Sequence, residues 1–257
     1  MNKTVQELAI KENVQLNEDT NLLIFEAPDL KEDLLPGQFA NVLVKDSTTT
    51  FLRRPFSIYD FDKKTGSFSL IIKKVGDGTR KLCQFNAGEK LSVIYPLGKS
   101  FSLPNRDEKV LLIGGGSGIA PMMIMAKAIA HLTSEIHILL GARAAKDHIE
   151  LEKFEKVGKL HLTTEDGSLG EKGFVIHHSL FNDIKSFDRI YTCGPNPMMK
   201  AIGDIAIEND VPCEVSLENM MGCGFGVCLC CVTDTHDKGH QCVCTDGPVF
   251  NAKEVKW

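Results

Sequence analysis

The sequence has no excess of basic residues. Its 29 Lys and Arg are outnumbered by 34 Asp and Glu, for a formal net charge of -5. Nucleic acid is therefore not an expected partner, because phosphate neutralisation needs clustered basic charge. It also has no apolar run near the ~20 residues needed to cross a bilayer. The first residues, MNKTVQELAIKENVQ, show no basic segment followed by an apolar one, so no secretory signal is expected. No internal repeat and no low-complexity tract is present. There is no Ser-His-Asp candidate and no pair of carboxylates in a persuasive context, and the eight scattered histidines read as surface or core residues. A soluble cytoplasmic protein is the expectation, with no residue singled out as catalytic.

What is there is an ordinary globular composition, 43% hydrophobic and 25% charged over 257 residues. That length allows two domains, or two and a small appendage. The nine cysteines break the pattern. Cys83, Cys193 and Cys213 are scattered, whereas Cys223, Cys228, Cys230, Cys231, Cys242 and Cys244 crowd together. In a reducing compartment such a cluster more often binds metal than forms disulfides.

Along the chain, short runs at Asn21–Glu26, Phe39–Val44, Phe68–Lys73 and Lys90–Tyr95 alternate with turn residues. They predict an all-β barrel or sandwich. From Lys109 the texture becomes α/β, with apolar strands at Val110–Ile113 and Glu135–Leu140, a helix over Pro121–Leu132, and a further alternation reaching Arg189–Thr192. Alternating strands and helices predict a parallel sheet. The polar stretch Asn105–Glu108 marks a boundary, so the expected division is residues 1–104, 105–212 and a small Cys- and Gly-rich module over 213–257.

Three motifs carry chemistry. Gly114-Gly115-Gly116-Ser117-Gly118 ends a strand and opens a helix, with Pro121 in its first turn. Missing Cβ atoms there admit a pyrophosphate to backbone N–H groups. The G-x-G-x-x-G spacing fails at Ile119, and no Lys-Ser/Thr follows, which excludes a P-loop. Cys193-Gly194-Pro195 ends a second strand before a helix, where α/β sheets bind ligands. Each also reads as a plain turn. Finally, Cys223-x4-Cys228-x2-Cys231 has the spacing of a plant-type [2Fe–2S] site, which needs a fourth, distant cysteine. Gly222, Gly224 and Gly226 let that loop bend and aim N–H groups at sulfur. Zinc is the alternative, with His236 and His240 nearby.

The two glycine turns together resemble the nicotinamide-binding domain of the ferredoxin reductase family. Arg54-Pro55-Phe56-Ser57 is similar to the R-x-[YF]-[ST] signature of that family's flavin-binding barrels. Gly76-Asp77-Gly78-Thr79 resembles its second flavin contact, Ile71-Ile72-Lys73 the strand lining the flavin, and Pro96-Leu97-Gly98 the close of the barrel. With Cys244–Phe250 as the closing segment, the whole chain resembles the electron-transfer subunits of type B dihydroorotate dehydrogenase. The one departure is Cys230, where that family more often has Gly.

The resemblance implies a flavin-binding β-barrel, a parallel-sheet nicotinamide domain and a C-terminal [2Fe–2S] module. It implies FAD held by Arg54, Pro55, Phe56, Ser57, Ile71, Ile72, Lys73, Gly78 and Thr79. NAD would lie against Gly115, Gly116, Gly118, Cys193, Gly194 and Pro195, and the cluster on Cys223, Cys228, Cys231 and Cys244. It further implies electron shuttling in pyrimidine biosynthesis between NAD and an FMN-containing catalytic subunit, two copies of each, with no membrane involved. Reductase subunits of ferredoxin oxidoreductases or sulfide dehydrogenases are the alternative family.

Overall fold

The computed structural model describes residues 3–30 and 32–257. Six antiparallel strands close the N-terminal barrel: β1 (Thr4–Asn17), β2 (Thr20–Glu26), β3 (Phe39–Val42), β4 (Arg54–Asp62), β5 (Ser67–Lys73) and β6 (Lys90–Leu97), in the order β1-β2-β5-β4-β3-β6. Closure leaves no free edge. The short helix α1 (Asp77–Leu82) lies between β5 and β6. Alternation along each strand divides its side chains between two environments. Ala40, Val42, Ile58, Leu70 and Ile72 fill the barrel, whereas Tyr59 and Ile71 pack outward against the second domain.

That domain is a seven-stranded sheet. Its parallel strands are β7 (Val110–Gly115), β8 (Ile136–Ala142), β9 (Lys159–Thr164), β10 (Glu171–Lys172), β11 (Arg189–Cys193) and β12 (Cys213–Ser216). Helices α2 (Ile119–Ile129), α3 (Leu151–Glu155) and α4 (Asn196–Glu208) connect them. The hairpin β13 (Val232–Thr235) and β14 (Gly239–Cys242) precedes β15 (Val249–Asn251), which pairs antiparallel with β12. The sheet order is β10-β9-β8-β7-β11-β12-β15. The chain leaves β7 for β8 on one side and returns to β11 on the other, so the switch point lies between β7 and β11, where open α/β sheets take ligands.

The segment expected to begin at Cys213 starts and ends within the sheet of the second domain. Residues 213–216 and 249–251 are strands of the second domain, and the cysteine-rich segment is an excursion between them. β12 pairs with β11 and β15 with β12, and Val215 and Phe250 join the core that holds Ile190. The helix over α2 starts two residues before Pro121 and ends at Ile129. None of its residues is acidic, and most are buried between sheet and barrel. Across the domain junction Tyr59 Oη donates to Glu150 Oε2 at 3.0 Å, and Lys127 pairs with Asp60.

The fold also gathers three of the scattered histidines. His137 Nδ1 and His161 Nε2 are 3.1 Å apart with stacked rings, and His178 meets His161 edge-on. Glu135 and Glu171 stand at the two ends, and Lys109 and Lys159 add positive charge. Burial, and then neighbouring positive charge for His137 and His161, hold the imidazoles below their ordinary value of 6.5, His161 at about 4. The folded state therefore resists protonation that the unfolded chain accepts. Stability is fully present above pH 6.5 and falls as pH drops toward 4. Each histidine that gains its proton only on unfolding contributes a slope of up to about 1.4 kcal/mol per pH unit. Thermal unfolding followed by circular dichroism should show this decline, flattened in His161→Phe. Superimposable profiles would refute it.

Candidate cofactor sites

The barrel offers an unpaired guanidinium. Arg54, at the start of β4, donates only to the carbonyls of Leu52 and Arg53, at 3.1 and 3.3 Å, and no carboxylate among the described residues pairs with it. Arg53 does the opposite: it is spent on Ser92 O at 2.6 Å and Ser92 Oγ at 2.9 Å, pinning the barrel wall. Gly78 comes up beside Arg54 from α1; a Cβ there would lie 3.4 Å from Arg54 Nε and 2.9 Å from Thr50 Cγ2. A forked cation beside a side-chain-free backbone fits a pyrophosphate. Pro55 and Ser57 alternate with Phe56, which packs on the barrel core, and so share the outer face with Tyr59.

Two of the residues expected at the flavin have side chains turned into, or bonded within, the barrel itself. Ile72 points into the barrel, fully buried, because it alternates with Ile71 and Lys73, which line the cleft. Thr79 is buried, and its hydroxyl accepts from Val75 N and Gly76 N at 3.0 Å while donating to Gly76 O at 2.9 Å. It staples the turn that presents Gly78. Arg54→Ala should weaken FAD by roughly 10- to 100-fold, the worth of one charge-assisted contact of about 1.5–3 kcal/mol. Arg53→Ala should instead lower the melting temperature. Fluorescence of released FAD and thermal melts separate the two, and equal FAD affinity in wild type and Arg54→Ala would discard the assignment.

At the switch point a cleft of about 670 Å³ runs between barrel and sheet. Ile71, Lys73 and Val75 form its barrel side, and Gly115, Gly116, Ser117, Pro195 and Met198 its sheet side. The far end is polar, with Arg143, Asp147, Thr163 and Glu165, and Phe174 and Val175 cover it. Gly118 and Gly194 work behind the wall: a Cβ on Gly118 would lie 2.2 Å from Cys193 O, and one on Gly194 3.0 Å from Gly115 O. The two turns are thus packed backbone against backbone, which brings both sets of N–H groups to one cleft, a fit for a dinucleotide.

Cys193 itself is fully buried, and its Sγ lies 3.9 Å from Glu218 Oε1. Burial, and then the Glu218 carboxylate, push this thiol well above its ordinary value, so it stays neutral. Part of Glu218 is open to solvent, but protein crowds its carboxyl and the lost hydration raises its pKa. The Glu218–Cys193 pair was not legible in the sequence, since it depends on β11 lying beside β12.

The cysteine segment forms two thiol pairs. Cys223 N donates to Cys228 Sγ, and Cys244 N to Cys231 Sγ, both at 3.4 Å. Phe225 N donates to Cys223 Sγ at 3.4 Å. Gly224 and Gly226 take φ of +83° and +86°, which bends the backbone around the first pair. Burial raises the Cys223 pKa, but the N–H groups of Phe225 and Cys228 outweigh it and bring the thiol down to about 6. Burial and the adjacent Cys231 push Cys244 up to about 12. An outer pair and a buried pair of sulfurs, each pair already receiving N–H donors, fit the donor chemistry of a [2Fe–2S] cluster. His240 pairs with Asp234 on the hairpin and Cys230 is exposed. Cys242 lies near Cys231, Cys223 and Cys228.

Three family models match the chain in this order: an oxidoreductase FAD-binding domain over residues 7–101, an oxidoreductase NAD-binding domain over 112–204, and the iron–sulfur cluster binding domain of dihydroorotate dehydrogenase B over 218–256. The dihydroorotate dehydrogenase B (NAD(+)) electron transfer subunit of Bacillus pumilus is 39% identical over 88% of this chain and 90% of its own. That of Fusobacterium nucleatum is 34% identical over 98% of both. The chain belongs to this family of electron transfer subunits. A solved NADH-dependent reduced ferredoxin–NADP oxidoreductase aligns with a TM-score of 0.86 and 31% identity over 98% of this chain and 90% of that one. A ferredoxin reductase of carbazole 1,9a-dioxygenase shares the fold, with a TM-score of 0.71 and 22% identity over 82% of this chain and 68% of that one. As a member of the family the chain is an oxidoreductase subunit, with FAD, NAD and an iron–sulfur cluster as its cofactors. Among the described residues no helix is long and apolar enough to cross a membrane.

Proposed function

We propose that this chain carries electrons between NAD, bound in the cleft, and the FMN of a separate subunit that oxidises dihydroorotate in pyrimidine biosynthesis. When bound, the FAD exchanges electron pairs with nicotinamide and single electrons with a [2Fe–2S] cluster. The chain's residues supply position. Arg54 and the Gly78 backbone hold the flavin pyrophosphate, with Pro55, Ser57, Ile71 and Lys73 on the face toward nicotinamide. Gly115, Gly116 and Pro195 seat NAD, while Gly118 and Gly194 fix the two turns. Cys223, Cys228, Cys231 and Cys244 hold the cluster. No acid–base pair is required, because hydride transfer depends on stacked, oriented rings.

The observation that carries this reading is the paired arrangement of the four thiols beside the barrel. The surface around them is apolar: Met220 is 84% exposed, Val227 74%, and Phe225 and Leu229 are also exposed. A patch of this kind marks a protein interface, and single electrons pass only over short distances. We assign it to the FMN subunit, in a cytoplasmic complex of two copies of each chain. The alternative family, ferredoxin or sulfide oxidoreductase subunits, is less favoured, because the match over 218–256 is to the dihydroorotate dehydrogenase B domain.

The test is an anaerobic NADH titration of the purified chain, with iron and acid-labile sulfide assayed on the same sample. Uptake of about three electrons per chain is expected from one FAD and one [2Fe–2S] centre. A colourless protein holding zinc, or one that takes up no electrons at full flavin and iron occupancy, would overturn the proposal.

A further inference from the structure

Asn41 stands where the flavin barrel meets the cysteine loop. On β3, Ala40 and Val42 point into the barrel core, so Phe39 and Asn41 point out. Phe39 packs in the same core as Cys231 and Cys244. Asn41 is fully buried. Its Nδ2 donates to the carbonyl of Cys223 at 3.5 Å. It also fills the space above Gly224: a Cβ there would lie 2.6 Å from Asn41 Nδ2 and 3.3 Å from Leu97 Cδ1. Gly224 must therefore be glycine twice over, for its φ of +83° and for this contact.

On its other side Asn41 is directly opposite Pro55 in the β3–β4 register, and Phe39 is opposite Ser57. Opposed residues share a face. One strand therefore separates the flavin-gripping residues of β4 from the first cysteine of the cluster loop, and Asn41 bridges the step. Its Oδ1 is buried and has no hydrogen-bond partner among the described residues. An orphaned buried acceptor is costly and rare. The amide thus keeps its donor end toward the loop although its acceptor end goes unpaired.

We infer that Asn41 is a positioning residue that fixes the Cys223 loop to the flavin barrel and sets the reduction potential of the cluster. The inference rests on the cluster assignment proposed above. Two physical effects operate. The contact with the Cys223 carbonyl fixes the peptide units whose N–H groups reach sulfur, including Phe225 N on Cys223 Sγ. Such donors favour the reduced, more negative cluster. The positive end of the amide dipole, held in a buried setting, acts in the same direction.

The experiment uses the full chain loaded with FAD and cluster, as wild type, Asn41→Leu and Asn41→Asp. Leucine keeps the bulk and removes the donor; aspartate keeps the shape and adds negative charge. Iron and sulfide are assayed, and the cluster potential and g-values are read by electron paramagnetic resonance during a redox titration, with the FAD potential as an internal control. We expect iron content near wild type, an unmoved FAD potential, and a cluster potential falling from wild type through leucine to aspartate. Aspartate should disfavour reduction at least tenfold, which is about 59 mV for one electron. Asn41→Gln, which restores an amide, should return part of the shift. Full iron with unchanged potential and g-values in both variants would overturn the inference. So would loss of iron from both, which would make Asn41 merely a structural seat. A wild-type chain that holds no iron–sulfur cluster would instead fail the cluster assignment itself.

Discussion

Cys228→Ser is expected to abolish electron delivery to the partner's FMN while leaving NADH able to reduce FAD. Cys228 is the exposed member of the outer thiol pair. A serine there offers a hard oxygen where the iron of a cluster prefers thiolate, and Cys223 loses the sulfur that its own N–H contacts. The flavin contacts on β4 and α1 and the cleft at the switch point share no residue with this loop, so NADH oxidation with an artificial acceptor should stay within about twofold. Transfer to the partner should fall at least 100-fold, with iron and sulfide reduced in parallel. Loss of both activities together would mean that the loop supports the flavin site and that the stations are not separable.

The second large effect is expected at Gly118. Its Cβ position is 2.2 Å from Cys193 O and 2.4 Å from Cys193 C, and that obstacle is backbone, which cannot swing aside. Gly118→Ala should therefore drive the two turns apart. Overpacking of this kind typically costs about 1–3 kcal/mol. At the upper end that is about 100-fold in NADH affinity or in the rate of flavin reduction, at 1.4 kcal/mol per tenfold. Gly116 provides the contrast. It takes φ of +59° and, among the described residues, no protein atom stands within 4 Å of its Cβ position, so alanine there should leave the two turns packed, at a backbone penalty of about 1–2 kcal/mol in stability, and any loss of NADH binding would come from its methyl meeting the dinucleotide in the cleft. Stopped-flow reduction by NADH and thermal melts distinguish the two. A Gly118→Ala protein with wild-type NADH kinetics would show that the turns tolerate separation.

Much of the architecture was readable because local rules and global fold agree. The period-2 runs with turn residues between them became barrel strands, and Val110–Ile113 with its glycines became strand and turn. The spacing of Cys223, Cys228 and Cys231 is a local property, fixed by how tightly a loop must bend, so those candidate ligands could be named without a fold. Arg54 could also be named as a candidate, though its separation from Arg53 could not. Both are arginines before a proline, and only the barrel shows that one is consumed by Ser92.

The rest depended on long-range neighbours. Ile72 and Thr79 look along the chain like the neighbours proposed to face the flavin, but strand alternation turns one side chain inward and a tight turn engages the hydroxyl of the other. The cysteine segment looks like an appended module, yet β12 and β15 tie both of its ends into the central sheet. His137, His161 and His178 become one group only because β8 and β9 pair and the segment after β10 folds back over them. The sequence by itself determined the residue types and spacings that bend a loop around a cluster, open a turn to a phosphate and alternate a strand. Tertiary structure alone decided which of those residues face one another, because contacts such as Asn41 to Cys223 and Gly118 to Cys193 join positions whose separation along the chain carries no periodic signal.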